Sequence, residues 1–124
     1  MNIETLVPQV LNPIVGGRVW HNATPGAPPR DAQGNFQPFI IWTLHGGQDQ
    51  EYIGQVMPEF VNCRIQLAAF APSAIVAGEL LRSARDRLLA SDYTVGVYGS
   101  PLGTYDAARD LEGRVQQFGI WFRE

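Results

Sequence analysis

The sequence contains no lysine, so all nine of its basic residues are arginine. It also lacks a cluster of basic residues, and its net charge is −3. A protein that reads a nucleic-acid sequence usually carries a basic patch or stripe. The lack of one argues against sequence-specific nucleic-acid binding.

Cysteine and long apolar runs are scarce too. Cys63 is the single cysteine, and it cannot form a disulfide within the chain, which favours a reducing compartment. No apolar run approaches the roughly 20 residues that span a bilayer. The first residues lack a basic segment and include Glu4, so we expect no secretory signal and no membrane association.

What is present is an ordinary globular composition. The chain has 124 residues, of which 45% are hydrophobic, and this is enough for one domain with its own core. We therefore expect a single domain over residues 1–124. Proline, glycine and polar residues are concentrated in three stretches, which are predicted to be long exposed loops: 22–38, 46–59 and 99–112.

The first element is predicted at residues 3–11. Apolar residues recur there with the spacing of one helix face: Ile3, Leu6, Val7, Val10 and Leu11. A helix would place Pro8 in its first turn with Thr5 as its cap, because proline has no N–H to donate. Two short turns around Pro8 are the alternative. Pro13 and the glycine pair at 16–17 are predicted to end this element.

Apolar patterns predict five strands: 18–21, 39–45, 60–71, 93–99 and 114–122. The third of these alternates most cleanly, and its apolar residues share one face: Val61, Cys63, Ile65, Leu67 and Ala69. The second is apolar on both faces, so we expect it to be covered on both sides. The last two are predicted to pair as a hairpin with a long connection.

The clearest helix is predicted at residues 73–90. Pro72 and Ser73 provide its start signals. Its apolar stripe has five members: Ala77, Leu80, Leu81, Ala84 and Leu88. Arg82 and Asp86 lie on the opposite, polar side, at a spacing that lets them form an ion pair.

Together these elements predict an α+β domain. It has a mainly antiparallel sheet of four to five strands, with the N-terminal helix and the 73–90 helix packed on one face. Four large apolar residues are candidates for the other face: Trp42, Phe118, Ile120 and Phe122. A chain of this size has few elements left to cover that face, so a partner subunit is one way to cover it.

His45 is the residue that most resembles a metal ligand or general base. It ends a predicted strand, and Asp49 and Glu51 follow it as helper carboxylates. Zinc sites, however, usually show closely spaced His or Cys ligands, and His21 is distant in the sequence. We therefore favour a strand-end histidine followed by a solvated turn.

The other polar clusters also fall short of known site patterns. Asp106, Asp110 and Glu112 lack the spacing of a calcium loop. Cys63 has no neighbouring base, so we interpret it as a small buried hydrophobe and not as a nucleophile. The sequence leads us to assign no catalytic residue, no metal ligand and no cofactor.

Several stretches resemble one family, the tail-completion proteins of long-tailed bacteriophages, also called tail terminators or head–tail joining proteins. The stretch "LNPIVGGRVW", a proline-rich loop and "PFIIW" are similar to the start of these proteins. The likeness continues through "RIQLAAFAPSAIVAGELLRSARDRLL" and ends with "GRVQQFGIWFR". The chain departs from the commonest family pattern at 22–38 and at 46–59.

This resemblance implies a virion structural protein of a phage or prophage. Its copies would form a ring, commonly a hexamer, that terminates the tail tube and joins it to the head connector. The implied partners are other copies of the chain, the tube protein and the connector protein, with DNA only as passing cargo. It also implies no catalysis and no cofactor. The expected location is the host cytoplasm during assembly and then the virion tail.

Loops at strand ends suit such contacts, because they tolerate variation while the sheet holds them in place. The 46–59 segment has the mixed composition of a protein contact. The predicted contact residues are Gln48, Asp49, Gln50, Glu51, Tyr52, Met57, Asp106, Arg109 and Asp110.

Three alternatives remain open. One is another head–tail or tube component, which for a tube subunit predicts self-polymerisation. Another is a small enzyme that uses His45 with Asp49 or Glu51. The third is a small-ligand-binding domain whose exposed sheet face holds an apolar compound.

Overall fold

The computed structural model describes residues 2–24, 26–45 and 60–123. Its elements in chain order are α1 (Ile3–Val15), β1 (Val19–His21), β2 (Phe39–Leu44), β3 (Phe60–Ala71), α2 (Ala74–Leu89), β4 (Thr94–Asp106) and β5 (Leu111–Arg123). Neither described helix is long and apolar enough to cross a membrane.

The five strands form one sheet in the order β1-β2-β3-β5-β4. β1 pairs with β2 in parallel, and the other three pairs are antiparallel. α2 packs across β3 and β5, and α1 packs against α2 and β1. The predicted α+β class, with a mainly antiparallel sheet and two helices, is confirmed.

α2 forms where the sequence predicted it and buries the predicted side. Ser73 caps it in an extended conformation, and its hydroxyl oxygen accepts the Val76 N–H at 3.2 Å. All five members of the predicted apolar stripe are buried: Ala77, Leu80, Leu81, Ala84 and Leu88. The stripe lies on the sheet because apolar spacing of three and four residues places these side chains on one face.

The Ser73 cap gives a test of this helix start. Ser73→Ala removes the acceptor for an N–H in the first turn, so it should lower the free energy of unfolding by about 1 kcal/mol. Urea denaturation of the variant measures this loss. Ser73→Asp is the matched control, since it keeps an acceptor oxygen and should retain most of the stability. Equal losses in both variants would show that the hydroxyl does not act as a cap.

α1 is longer than predicted and starts earlier. Asn2, not Thr5, is its cap: the Asn2 side chain accepts the Thr5 N–H at 2.9 Å. Pro8 therefore lies in the second turn, and Pro13 does not end the helix. The end comes at Gly16, whose φ of 56° is left-handed and favours glycine. The two prolines are tolerated because burial of one apolar side outweighs the lost backbone hydrogen bonds.

The predicted assignment of four large apolar residues to the uncovered face is wrong. In the antiparallel register Phe118 lies opposite Ile65 and Ile120 lies opposite Cys63, and directly opposed residues share a face. That face is the one under the helices. All four residues are buried in the main core: Trp42, Phe118, Ile120 and Phe122.

The face away from the helices has a different character. At one end it carries three packed aromatic rings, with Phe39 5.6 Å from Trp20 and 5.5 Å from Phe70 between ring centroids. Towards its centre the Arg64 guanidinium lies 4.0 Å from the Tyr98 ring centroid. It is therefore a mixed surface, with a cluster of three aromatic rings at one end and one arginine stacked on a tyrosine nearer the centre.

The predicted loop at 99–112 is also wrong, because strand pairing continues through most of it. β4 runs to Asp106 and β5 starts at Leu111, so only residues 107–110 connect them. The pairing register of β4 with β5 shifts between Tyr98 and Leu102. Gly99 lies at this irregularity and has a positive φ of 68°. The Pro101 and glycine signals indicated a loop, but an edge strand tolerates both next to a bulge.

Candidate functional site

The predicted contact residues fall into two groups. Six of them lie in segment 46–59, outside the described residues: Gln48, Asp49, Gln50, Glu51, Tyr52 and Met57. The other three are brought together in and beside the turn between β4 and β5: Asp106, Arg109 and Asp110.

Asp106 organises the turn. One of its carboxylate oxygens accepts the Ala108 N–H at 3.1 Å and the Arg109 N–H at 3.4 Å. The other lies 3.5 Å from Nη1 of Arg109. These bonds fix the conformation of the turn. Asp side chains commonly stabilise turns in this way, by hydrogen bonding to the nearby backbone.

Asp110 is hydrogen-bonded to a residue of β4. Its φ of 54° is left-handed, which Asp tolerates better than most residues. Its carboxylate accepts a hydrogen bond from the Tyr105 hydroxyl. This bond, together with the nearby carboxylates, raises the pKa of Tyr105. The Tyr105 hydroxyl therefore stays protonated, and keeps donating to Asp110, to a higher pH than a free tyrosine would allow.

The turn also contacts the segment before β2. Nη2 of Arg109 lies 3.4 Å from the Thr24 hydroxyl. Further along that segment Arg30 and Phe36 form an isolated antiparallel bridge, and the Arg30 guanidinium stacks 3.9 Å from the Phe36 ring centroid. Arg30 and Phe36 line one shallow pocket together with Asp110. The segment and the turn thus form one continuous surface.

Sequence reasoning missed the apolar residues that the edge strand exposes. Leu102 is 69% exposed and Tyr105 is 53% exposed. At the start of α2, Ile75 is 75% exposed. Among the strands that the structure describes, none lies on the outer side of β4, so its outer backbone groups are open to pairing with another chain. The sequence carries little signal for them, because Leu102 and Tyr105 are three residues apart and do not follow the alternation of a strand.

A groove between α2 and the β4–β5 hairpin, here called the arginine groove, was also missed. It encloses about 700 Å³, and three arginines and one glutamate line it: Arg82, Arg85, Arg114 and Glu79. The buried side chain of Gln116 forms part of the lining, and its amide donates to the Gly99 carbonyl at 2.7 Å. The groove is thus positively charged on a chain whose net charge is −3.

His45 lies at the exposed end of β2, and its backbone N–H donates to the Arg64 carbonyl at 2.7 Å. Its proposed helpers Asp49 and Glu51 fall in the 46–59 segment, which the structure does not describe. Across residues 2–24, 26–45 and 60–123, no three His, Cys, Asp or Glu side chains form a group that could hold a metal ion.

We expect His45→Ala to leave folding close to wild type, and also tail joining, the role that the sequence resemblance implies. The imidazole is exposed, and the hydrogen bond from this residue comes from the backbone, which alanine keeps. Thermal unfolding and a tail-joining assay measure the two outcomes. A folded variant that loses a measurable turnover or a stoichiometric bound metal would support the enzyme alternative instead.

Comparisons with known proteins leave the sequence resemblance without independent support. No protein-family model matches the chain, and no curated protein matches it significantly. The class that the fold defines is an α+β domain with two helices on one side of a five-stranded mixed sheet.

Proposed function

We propose that this chain is a structural subunit of a tailed phage or prophage that forms a ring, terminates the tail tube and joins it to the head connector. The sequence likeness to tail-completion proteins motivates the proposal. Its stretches correspond to structural units of the fold: "LNPIVGGRVW" leads from α1 into β1, and "RIQLAAFAPSAIVAGELLRSARDRLL" contains most of β3 and all of α2.

The observation that carries the proposal is the exposed edge strand β4. Along it Val97, Tyr98, Leu102 and Tyr105 are all more than a third exposed. Apolar side chains beside unpaired backbone groups favour a second chain as the covering partner. A subunit of an assembly uses such a surface, whereas a domain that acts alone gains nothing from it.

The turn between β4 and β5 supports the same function. Asp106, Arg109 and Asp110 are held by defined hydrogen bonds, so little conformational entropy is lost when a partner binds them. The surface is polar and charged around exposed apolar residues, as subunit contacts commonly are.

Deletion of the gene in a phage that carries it tests the proposal. A tail terminator predicts tails of uncontrolled length and heads without joined tails, and both defects should be reversed by supplying the wild-type chain. Loss of tails altogether would favour the alternative of a tube subunit. Normal particles would contradict a role in head–tail assembly.

A further inference from the structure

The chain carries two neighbouring surfaces of opposite charge that share no residue. The arginine groove has three arginines against one glutamate in its lining. The second surface, here called the acidic turn, comprises Tyr105, Asp106, Arg109, Asp110 and Glu112, with three carboxylates against one arginine. The groove lies between α2 and the hairpin, and the acidic turn lies at the hairpin end.

The charges of the groove are poorly neutralised within the chain. Arg85 has an exposed and long contact with Asp86, with 3.8 Å between nitrogen and oxygen. Arg114 donates to the backbone carbonyl of Gly113 at 2.8 Å. Among the described residues, neither Arg114 nor Arg82 has a carboxylate within ion-pair distance. The groove therefore favours an acidic occupant.

The acidic turn offers carboxylates and an exposed aromatic ring, which are groups that the arginine groove could bind. Tyr105 is half-exposed and oriented by its bond to Asp110, so it can enter a groove while the carboxylates meet arginines. Tyrosine and arginine are enriched at protein contacts, and arginine pairs well with carboxylates. Ile75 lines the groove and is 75% exposed, which gives the ring an apolar surface to contact.

From these observations we infer that the arginine groove of one copy binds the acidic turn of the next copy. The contact joins two different surfaces, so it is head-to-tail, and head-to-tail contacts close into rings when the rotation between copies permits. This inference rests on the proposed ring, and it names the surfaces that hold the ring together.

Charge reversal tests the contact. Arg82→Glu changes an exposed position of α2 in the groove, and Glu112→Arg changes the acidic turn. Each should weaken self-association about tenfold in low salt, measured by sedimentation equilibrium, because like charges then face each other. A chain with both changes should recover most of the loss, since the pair is restored with its signs exchanged.

Asp92→Arg is the matched control for Glu112→Arg. It makes the same change in net charge at an exposed residue outside both surfaces, so it should leave association close to wild type. Added salt should weaken wild-type association, because the contact is electrostatic and open to ions.

Several results would overturn the inference. One is that the single variants associate as tightly as wild type. Another is that the double variant associates no more tightly than either single variant. Wild-type protein that stays monomeric at the highest concentration at which it stays in solution would also contradict it. Groove variants that associate normally but fail to join tails would place another acidic protein in the groove, while the proposed function stands. If the association results hold but the wild-type chain caps no tail, the proposed function fails and the contact remains.

Discussion

Leu81→Asp should abolish folding. Leu81 is 2% exposed, in the stripe by which α2 packs on the sheet. An unpaired carboxylate there must either lose its hydration or stay protonated, at a cost of several kcal/mol. Domains of this size are stable by only about 5–15 kcal/mol, so one such change removes most of the margin. Leu88→Asp should have the same result, because Leu88 is fully buried.

Ile75→Asp is the matched control on the same helix. Ile75 is 75% exposed, so its carboxylate stays hydrated and the variant should unfold cooperatively near the wild-type temperature. Circular dichroism and thermal melts of the purified variants compare them. A soluble Leu81→Asp variant with a cooperative transition would show that this face of α2 is not buried.

Gly113→Ala should destabilise the fold although it adds only one methyl group. A Cβ at residue 113 would lie 2.6 Å from Cγ2 of Thr104 and 2.8 Å from Cε1 of Phe70. Both neighbours are side chains on strands paired with β5, and the Phe70 ring also packs against Phe39, so a Cβ at residue 113 requires packed side chains to shift. Overpacking of this kind costs about 1–3 kcal/mol, and urea denaturation measures it.

Gly103→Ala is the control for that prediction. Gly103 lies on the neighbouring strand β4, and its added Cβ would meet only the end of the flexible Arg114 side chain, at 3.3 Å. We expect its stability to stay close to wild type. Equal losses for both variants would mean that the cost comes from the strand backbone and not from the crowding at residue 113.

The sequence was most informative where one element carried its own pattern. α2 was predicted with its cap and its whole buried stripe, because a helix of 16 residues repeats its apolar spacing several times. The alternation of β3 likewise predicted its buried face, on which Ile65, Leu67 and Ala69 lie. Neither prediction required knowledge of any other element.

The pairing of the last two strands was predicted and is confirmed, but two other predictions that required a relation between elements failed. The face on which Phe118 lies depends on the register of β5 against β3, and a shift of one residue would reverse it. The end of β4 was interpreted as loop because proline and glycine usually interrupt strands, and this stretch contains Pro101, Gly99 and Gly103. Pairing with β5 outweighs that local preference.

The same limit applies to the candidate site. The residues of the β4–β5 turn are close in sequence, so composition alone could suggest Asp106, Arg109 and Asp110, and their role as contacts stays a prediction. The arginine groove joins Arg82 of α2 to Arg114 of β5, and nothing in the sequence indicates that these two residues meet. Surfaces assembled from distant elements become visible only once the sheet order is known.

The most direct measurement of the proposed function uses purified tail tubes that lack a terminator. The chain is added, the tubes are imaged by negative-stain electron microscopy, and tube subunits are then supplied. The proposal predicts a ring of density at one end of each tube and no further growth from that end. Tubes that stay bare and keep growing, or filaments formed by the chain alone, would contradict it.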